Sequence, residues 1–173
     1  MSKLQTVIFF IRHGQTDKDF SSDAGIDNER VLTEEGRAQE KRVGEYLKSF
    51  APSVIYSSHM KRAVETAEII KVAAEIPGDI ISRSELAEMY HGQVQGYAER
   101  GAAFKDFLQE LCQKHAGEQI VLSFHEDPIE SMVAHLGFTT EELDFPCQMS
   151  QGYRLVFAGE VPVECQKINP AGI

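Results

Sequence analysis

The sequence has no apolar run near the roughly 18 residues that a membrane-spanning helix needs, which argues against a helical membrane protein. Cysteine is scarce. Cys112, Cys147 and Cys165 are odd in number, widely spaced and in no metal-ligand pattern, so they read as free thiols in a reducing compartment. Basic residues are in deficit: 17 Lys and Arg stand against 27 Asp and Glu, a formal net charge of −10. That balance opposes nonspecific binding to nucleic acid or to anionic membranes, and neither is expected as a partner. It also means that any site for an anionic substrate must be built by particular arginines against the field of the whole chain. The N-terminal stretch "MSKLQTVIFFI" lacks a small-residue cleavage site and does not read as a signal peptide. A cytoplasmic location is therefore expected. Internal repeats, low-complexity tracts and Gly/Ser/Pro-rich linkers are all missing, so residues 1–173 are expected to form one domain.

What remains is a chain that alternates between two periodicities. "VIFFI" at 7–11 is a continuous β-forming apolar run, the pattern of a strand covered on both faces. A polar, acidic stretch, "DKDFSSDAGIDNER", follows and reads as a loop. Thr33 suits a helix N-cap with Glu34 and Glu35 in the first turn, and Val43, Leu47 and Phe50 supply an apolar stripe ending before Pro52. "SVIYSS" at 53–58 predicts a second strand, and Met60, Val64, Ala67 and Ile70 predict the next helix. "DIIS" at 79–82 suggests a third strand, and Phe104, Phe107, Leu108 and Leu111 mark an amphipathic helix. "QIVLSF" at 119–124 predicts another buried strand, with Pro128 opening a helix that carries Ile129, Met132, Val133 and Leu136. "YRLVFAG" and "VPVECQKI" read as a closing hairpin about Gly159. Strands alternating with helices predict an α/β three-layer sandwich, with a mainly parallel central sheet and helices on both faces.

Such sheets bind ligands outside the carboxyl ends of their strands. Arg12, His13 and Gly14 follow the first predicted strand. Ser57, Ser58 and, a turn later, Arg62 follow the second. Glu88 comes after the third and His125 after the fourth. Two arginines, two histidines and a carboxylic acid thus converge on one rim from more than a hundred residues of chain. These residue types suit phosphoryl transfer. Guanidinium groups bind phosphate oxygens with forked, charge-assisted hydrogen bonds. A neutral imidazole can act as nucleophile, a protonated one can stabilise charge, and a carboxyl can move the proton of the leaving oxygen. His59, His91, His115 and His135 read as surface or packing histidines, His91 being the one of these placed to line the site.

Five stretches in order resemble the histidine phosphatase superfamily, the phosphoglycerate mutase-like fold. They are "IRHGQT" at 11–16, "LTEEGRAQ" at 32–39, "YSSHMKRAVETA" at 56–67, "LAEMYHGQVQG" at 86–96 and "SFHEDP" at 123–128. The resemblance implies that His13 is the phosphorylated nucleophile, with Glu88 as proton donor. Arg12, Arg62 and His125 would hold the phosphate, His125 protonated, with Gln15 beside them and Ser57 as a minor contact. It implies no metal and no cofactor, since the arginines and the histidine supply the positive charge. It also implies a phosphatase acting on a small phosphorylated metabolite or a phosphoprotein. Mutases of this pattern usually carry extra enclosing segments, whereas here 30 residues separate Glu88 from Gln119. An open site favours release to water over return transfer.

The chain departs from the family pattern in two places. Asp19 stands where many members carry asparagine, and Glu126 and Asp127 follow His125 where small residues are usual. A carboxylate about 4 Å from one phosphate charge would cost on the order of 4 kcal/mol at an effective dielectric near 20. The carboxylates must therefore point away, pair with Arg12, Arg37, Arg154 or a cationic substrate, be protonated in use, or weaken activity. Two alternatives stand beside this reading: a phosphohistidine protein phosphatase, whose short chains share the Arg-His-Gly and leucine-threonine stretches though Glu88 argues mildly against it, and a catalytically weak member that only binds phosphorylated ligands, supported by the acidic pair beside His125. The acidic loop lacks the ordered spacing and the terminal glutamate of a calcium loop.

Overall fold

Apolar side chains from Ile8 to Ile11 alternate between two separate cores, which is why the run has no polar break. Ile8 and Phe10 enter one core with Leu122, Phe124, Phe107 and Ile129. Phe9 and Ile11 enter the other with Ile55, Val121, Val43, Leu47 and Ile70. Successive strand residues point to opposite faces, so a strand buried on both sides must be apolar throughout. The computed structural model describes residues 4–88, 96–139, 141 and 143–172.

Strand β1 (Gln5–Arg12) lies inside a six-stranded sheet. The others are β2 (Val54–Ser57), β3 (Ile81–Ser82), β4 (Gln119–Phe124), β5 (Gly152–Ala158) and β6 (Val161–Ile168). The order across the sheet is β3-β2-β4-β1-β5-β6. β1 to β4 run parallel to their neighbours within that group, while β5 joins β1 antiparallel and turns back into β6. The sheet is therefore mixed, its antiparallel edge being the hairpin predicted about Gly159. Helices α2 (Glu34–Lys48) and α3 (Lys61–Ala73) supply one core, and α4 (Gly96–Lys114) and α5 (Glu126–His135) supply the other. Among the described residues no helix is long and apolar enough to cross a membrane.

Several boundaries differ from the sequence reading. The stretch read wholly as a loop contains a five-residue helix, α1 (Ala24–Asn28), whose N-cap Asp23 accepts from the amides of Gly25 and Ile26. Five residues are too few for a periodicity to show. Helix α5 opens at Glu126 rather than Pro128, with His125 as its N-cap. Its first turn thus tolerates Pro128, whose missing amide proton would have had no helical partner there.

The "LTEEG" stretch anchors the turn after β1. The Thr33 hydroxyl caps α2 by accepting from the Gly36 amide at 3.0 Å, and it donates to Gln15 Oε1 at 2.7 Å. The Thr33 amide donates to the Gln15 carbonyl at 2.9 Å. Gly36 then lies so close that a Cβ there would sit 2.2 Å from the Gln15 carbonyl oxygen. Alanine in a helix ordinarily gains about 1 kcal/mol over glycine. Here the obstacle is backbone, which has no rotamer to escape into, so the clash decides the sign. Gly36→Ala is expected to lower stability by about 2 kcal/mol in urea denaturation, against the gain that propensity alone would give.

Candidate active site

The carboxyl ends of the parallel strands bring the predicted residues together. Arg12 closes β1 in register with Phe124, and Ser57 closes β2 in register with Ser123. His13 and His125 step off adjacent strands, and their ring centroids are 5.4 Å apart. Both are buried, as is Arg62. A 470 Å³ cavity opens over His13, lined also by Arg12, Asp19, Glu88, Glu126 and Gln15.

The protonation state of His13 follows from its neighbours. Nδ1 is 2.9 Å from the Gly14 carbonyl, which can only accept, so Nδ1 carries the proton. Nε2 is 3.1 Å from Arg62 Nε, which can only donate, so Nε2 presents its lone pair. Burial, then Arg62, Arg12 and Arg30, push the imidazole pKa well below its usual value, and the Gly14 bond only partly opposes them. The result is a neutral ring with a fixed tautomer. The Gly14 amide is held by the Thr66 hydroxyl at 3.2 Å. A Cβ on Gly14 would meet Glu40 Oε1 and the Gly36 carbonyl at 2.9 Å, so no larger residue fits behind the imidazole.

Arg62 is held on every side. Its Nη1 donates to the Asp27 carbonyl at 2.9 Å and its Nη2 to Asp27 Oδ2 at 2.8 Å. A further Nη2 contact reaches Glu88 Oε2 at 3.3 Å. Asp27 is itself fully buried, and Oδ1 accepts from Arg30 Nη1 at 2.9 Å and from the Ser21 amide at 3.2 Å. Burial alone would raise the Asp27 pKa. The Arg30 hydrogen bond, the Ser21 amide and the charge of Arg62 outweigh it and hold the carboxyl below 3.8. Arg30 is tied in turn to the Lys18 carbonyl and the Thr16 hydroxyl.

Asp27 and Arg30 were not among the expected site residues. The available signal was "DNER", a carboxylate and an arginine three residues apart inside a segment read as polar loop. Only the helical turn of α1 makes that spacing face inward.

His125 accepts a different arrangement from the one expected. Its Nε2 is 2.9 Å from Ser58 Oγ, and that hydroxyl already accepts from the Met60 amide at 3.3 Å. The Glu88 carboxylate, its Oε2 3.4 Å from Nδ1, can only accept, so Nδ1 carries the proton and Nε2 accepts from the Ser58 hydroxyl. Nδ1 makes no hydrogen bond among the described residues, and neither does the buried Arg12 Nε. Burial first, then His13, Arg62, Arg30 and Arg12, lower the His125 pKa well below the usual value. These surroundings favour the neutral ring, which still offers an N–H, over the imidazolium.

Ser57, the expected minor contact, donates its hydroxyl to the Ser58 carbonyl at 2.8 Å. The chain leaves β2 at Ser57, and it is Ser58, just beyond the strand, that reaches His125. Glu126 pairs with Arg12 Nη1, one of the outcomes open from sequence, while Arg12 Nη1 also donates to the Cys147 carbonyl at 2.6 Å. Asp19 is exposed on the cavity wall. His115 is a packing histidine bonded to Tyr56 and Glu118. His59 and His135 are exposed. His91 lies outside the described residues.

Comparison with known proteins agrees with this geometry. The model of the histidine phosphatase superfamily (branch 1) matches residues 8–106. The uncharacterized phosphatase PhoE of Bacillus subtilis is 32% identical over 91 residues, covering 53% of this chain and 46% of that protein. A 2,3-bisphosphoglycerate-dependent phosphoglycerate mutase of Corynebacterium diphtheriae is 37% identical over 94 residues, covering 51% of this chain and 37% of that protein. The chain thus matches less than half the length of these relatives. Among solved structures, the protein histidine phosphatase SixA complexed with tungstate superposes with a TM-score of 0.74 at 20% identity, covering 96% of this chain and 98% of that one.

Asp27 compensates two buried guanidiniums, so Asp27→Asn is expected to cost about 2–4 kcal/mol near pH 7. Because its folded pKa is depressed, the wild-type advantage is fully present above pH 3.8 and fades as pH falls through the lower folded value. Denaturation of both proteins between about pH 3 and 7 should show the gap closing only at the acid end.

Proposed function

Because the chain belongs to branch 1 of the histidine phosphatase superfamily, we propose that it is a metal-independent phosphatase working through a phosphohistidine on His13. The observation that carries this reading is the fixed lone pair on His13 Nε2, beside two buried donors, Arg12 Nε and His125 Nδ1, that make no hydrogen bond among the described residues, His125 Nδ1 lying 3.4 Å from Glu88 Oε2. In the first step Arg62 Nε turns from Nε2 to a phosphoryl oxygen, Nε2 bonds to phosphorus as the bond to the leaving oxygen breaks, and protonated Glu88 supplies that oxygen with its proton. In the second, water attacks the phosphohistidine, Glu88 accepts the water proton, and phosphate leaves with His13 neutral again. Arg12, Arg62 and His125 bear the charge on the equatorial oxygens.

Glu88 occupies a telling place for this role. Its Oε2 sits by Arg62 Nη2 and His125 Nδ1, where a phosphoryl oxygen would need to be. Substrate entry therefore requires the carboxyl to yield those two donors and turn toward the leaving group. An incoming dianion would also raise the pKa of His125, reversing the effect of its cationic neighbours. Hydrolysis rather than return transfer is favoured because the cavity is open and α4 takes up most of the chain between Glu88 and β4. The substrate is a small phosphorylated metabolite or a phosphoprotein.

A second reading is cleavage of a phosphohistidine in a protein partner. It is favoured by the likeness to SixA and by the contacts of Glu88 with Arg62 and His125, since a P–N bond needs a general acid less than a P–O bond does.

Two experiments test these assignments. Incubation with a labile phosphoryl donor should place acid-labile label on wild type and none on His13→Asn. Glu88→Gln should lose less than about tenfold with p-nitrophenyl phosphate and about a thousandfold with an alkyl phosphate. Equal losses on both would favour the second reading. Glu126 competes with phosphoryl oxygens for Arg12, so Glu126→Gly should tighten inhibition by inorganic phosphate about five- to tenfold. Asp19→Asn, at an exposed position, should change it less.

A further inference from the structure

Behind the nucleophile lies a buried acid that the chemistry above does not use. Glu40, on α2, is fully buried, and its Oε2 has no hydrogen-bond partner among the described residues. Its Oε1 is 2.6 Å from the Ser150 hydroxyl, which is also 3.2 Å from Gln39 Oε1. One hydroxyl proton cannot serve both acceptors. Gln39 Oε1 also accepts from the Gln15 amide at 3.3 Å, which fixes it as the oxygen. Every distance is satisfied if Glu40 is a neutral acid that donates to Ser150 while Ser150 donates to Gln39.

Ser150 adopts a positive φ of 59°, uncommon for a residue with a side chain. That conformation aims its amide at the Arg12 and His13 carbonyls, at 3.2 and 3.3 Å. The relay from Glu40 through Ser150 and Gln39 therefore grips the turn after β1 at the Arg12 and His13 carbonyls and at the Gln15 amide. Glu40 also fills the space against Gly14, whose own carbonyl fixes the His13 tautomer.

We propose that Glu40 is a positioning residue which, as a neutral carboxylic acid, holds the Arg12–Gln15 turn and so aims His13 Nε2. The inference rests on the phosphohistidine reading for its catalytic consequence, though not for the geometry. Burial raises the Glu40 pKa to about 8, and the Ser150 bond opposes the rise. No charged group contributes: its neighbours are Gln39 on its own helix, Ser150 before β5, and the turn at Gly14. Deprotonation would reverse the first bond of the relay and take the Ser150 proton from Gln39.

The test reads two signals in the full chain between about pH 6 and 9.5. The first is the backbone amide resonances of Gly14 and Gln15. The second is kcat with p-nitrophenyl phosphate. Wild type should show an amide transition near pH 8 and a fall in kcat over the same range. Glu40→Gln, whose side-chain amide can still donate to Ser150, should show neither and hold its rate to the alkaline end. Glu40→Leu keeps the bulk without the donor and should lose about tenfold in kcat with KM little changed. The proposal is overturned if the wild-type amides show no transition near pH 8, or if Gln and Leu lose rate alike. Amides that titrate in a protein with no turnover at any pH would uphold the role of Glu40 in holding the turn and remove the phosphatase reading instead.

Discussion

The contact between Arg62 Nε and His13 Nε2 is the constraint on which the remaining geometry depends. A guanidinium cannot give up its proton, so its approach obliges the imidazole to present a lone pair, and the Gly14 carbonyl then takes the other nitrogen's proton. Burying a permanent cation next to a neutral ring is costly without a counter-charge. Asp27 supplies it, with both a carboxylate oxygen and a backbone carbonyl on Arg62. Arg30 in turn completes the coordination of Asp27. The chain between Thr16 and Arg30 is thereby drawn over the strand ends, although little hydrophobic surface holds it there.

The sheet makes this possible by alignment. Four parallel strands end within a residue or two of one another, so residues far apart in sequence arrive at the same height. The helices that pack on them carry more than apolar stripes. Thr33 and Gly36 grip Gln15, Thr66 holds the Gly14 amide, and Ser123 donates to the Ala63 carbonyl at 2.9 Å. These contacts explain why the second and third motif stretches contain small and hydroxylic residues rather than larger apolar ones. Carboxylates sit on the cations of the pocket, Glu88 on Arg62 and Glu126 on Arg12. An acidic chain thus keeps its cationic pocket compensated until an anion competes for it.

Most of the scaffold was legible because periodicity survives burial. The runs at 7–11 and 119–124 became β1 and β4, and Val43, Leu47 and Ile70 face the core as spaced. The convergence of Arg12, His13, Arg62, Glu88 and His125 followed from placing each just beyond a strand. The losses share one cause, since the direction of a side chain depends on local geometry that residue type does not record. Ser57 ends β2 and Ser58 lies just beyond it, a boundary that residue type does not mark. Asp27 needed a helix too short to show a pattern, and Glu40 looks like any glutamate on a solvated helix face until Ser150 and Gly14 close over it. The burial of His125 among cations, which lowers its pKa, is likewise a tertiary property. The shortness of β3, two residues long, was equally hidden by the longer apolar stretch around it.

The central claim is that His13 is held neutral, with its lone pair on Nε2, by the buried Arg62 guanidinium. Nitrogen-15 NMR of the His13 ring, followed as pH is lowered from about 7.5 to 5, tests it directly. The account predicts an Nδ1-protonated, Nε2-unprotonated ring through pH 6.5 and below, with protonation postponed well under the ordinary histidine value. A ring carrying protons on both nitrogens near pH 6.5, or one protonated on Nε2 instead, would contradict it.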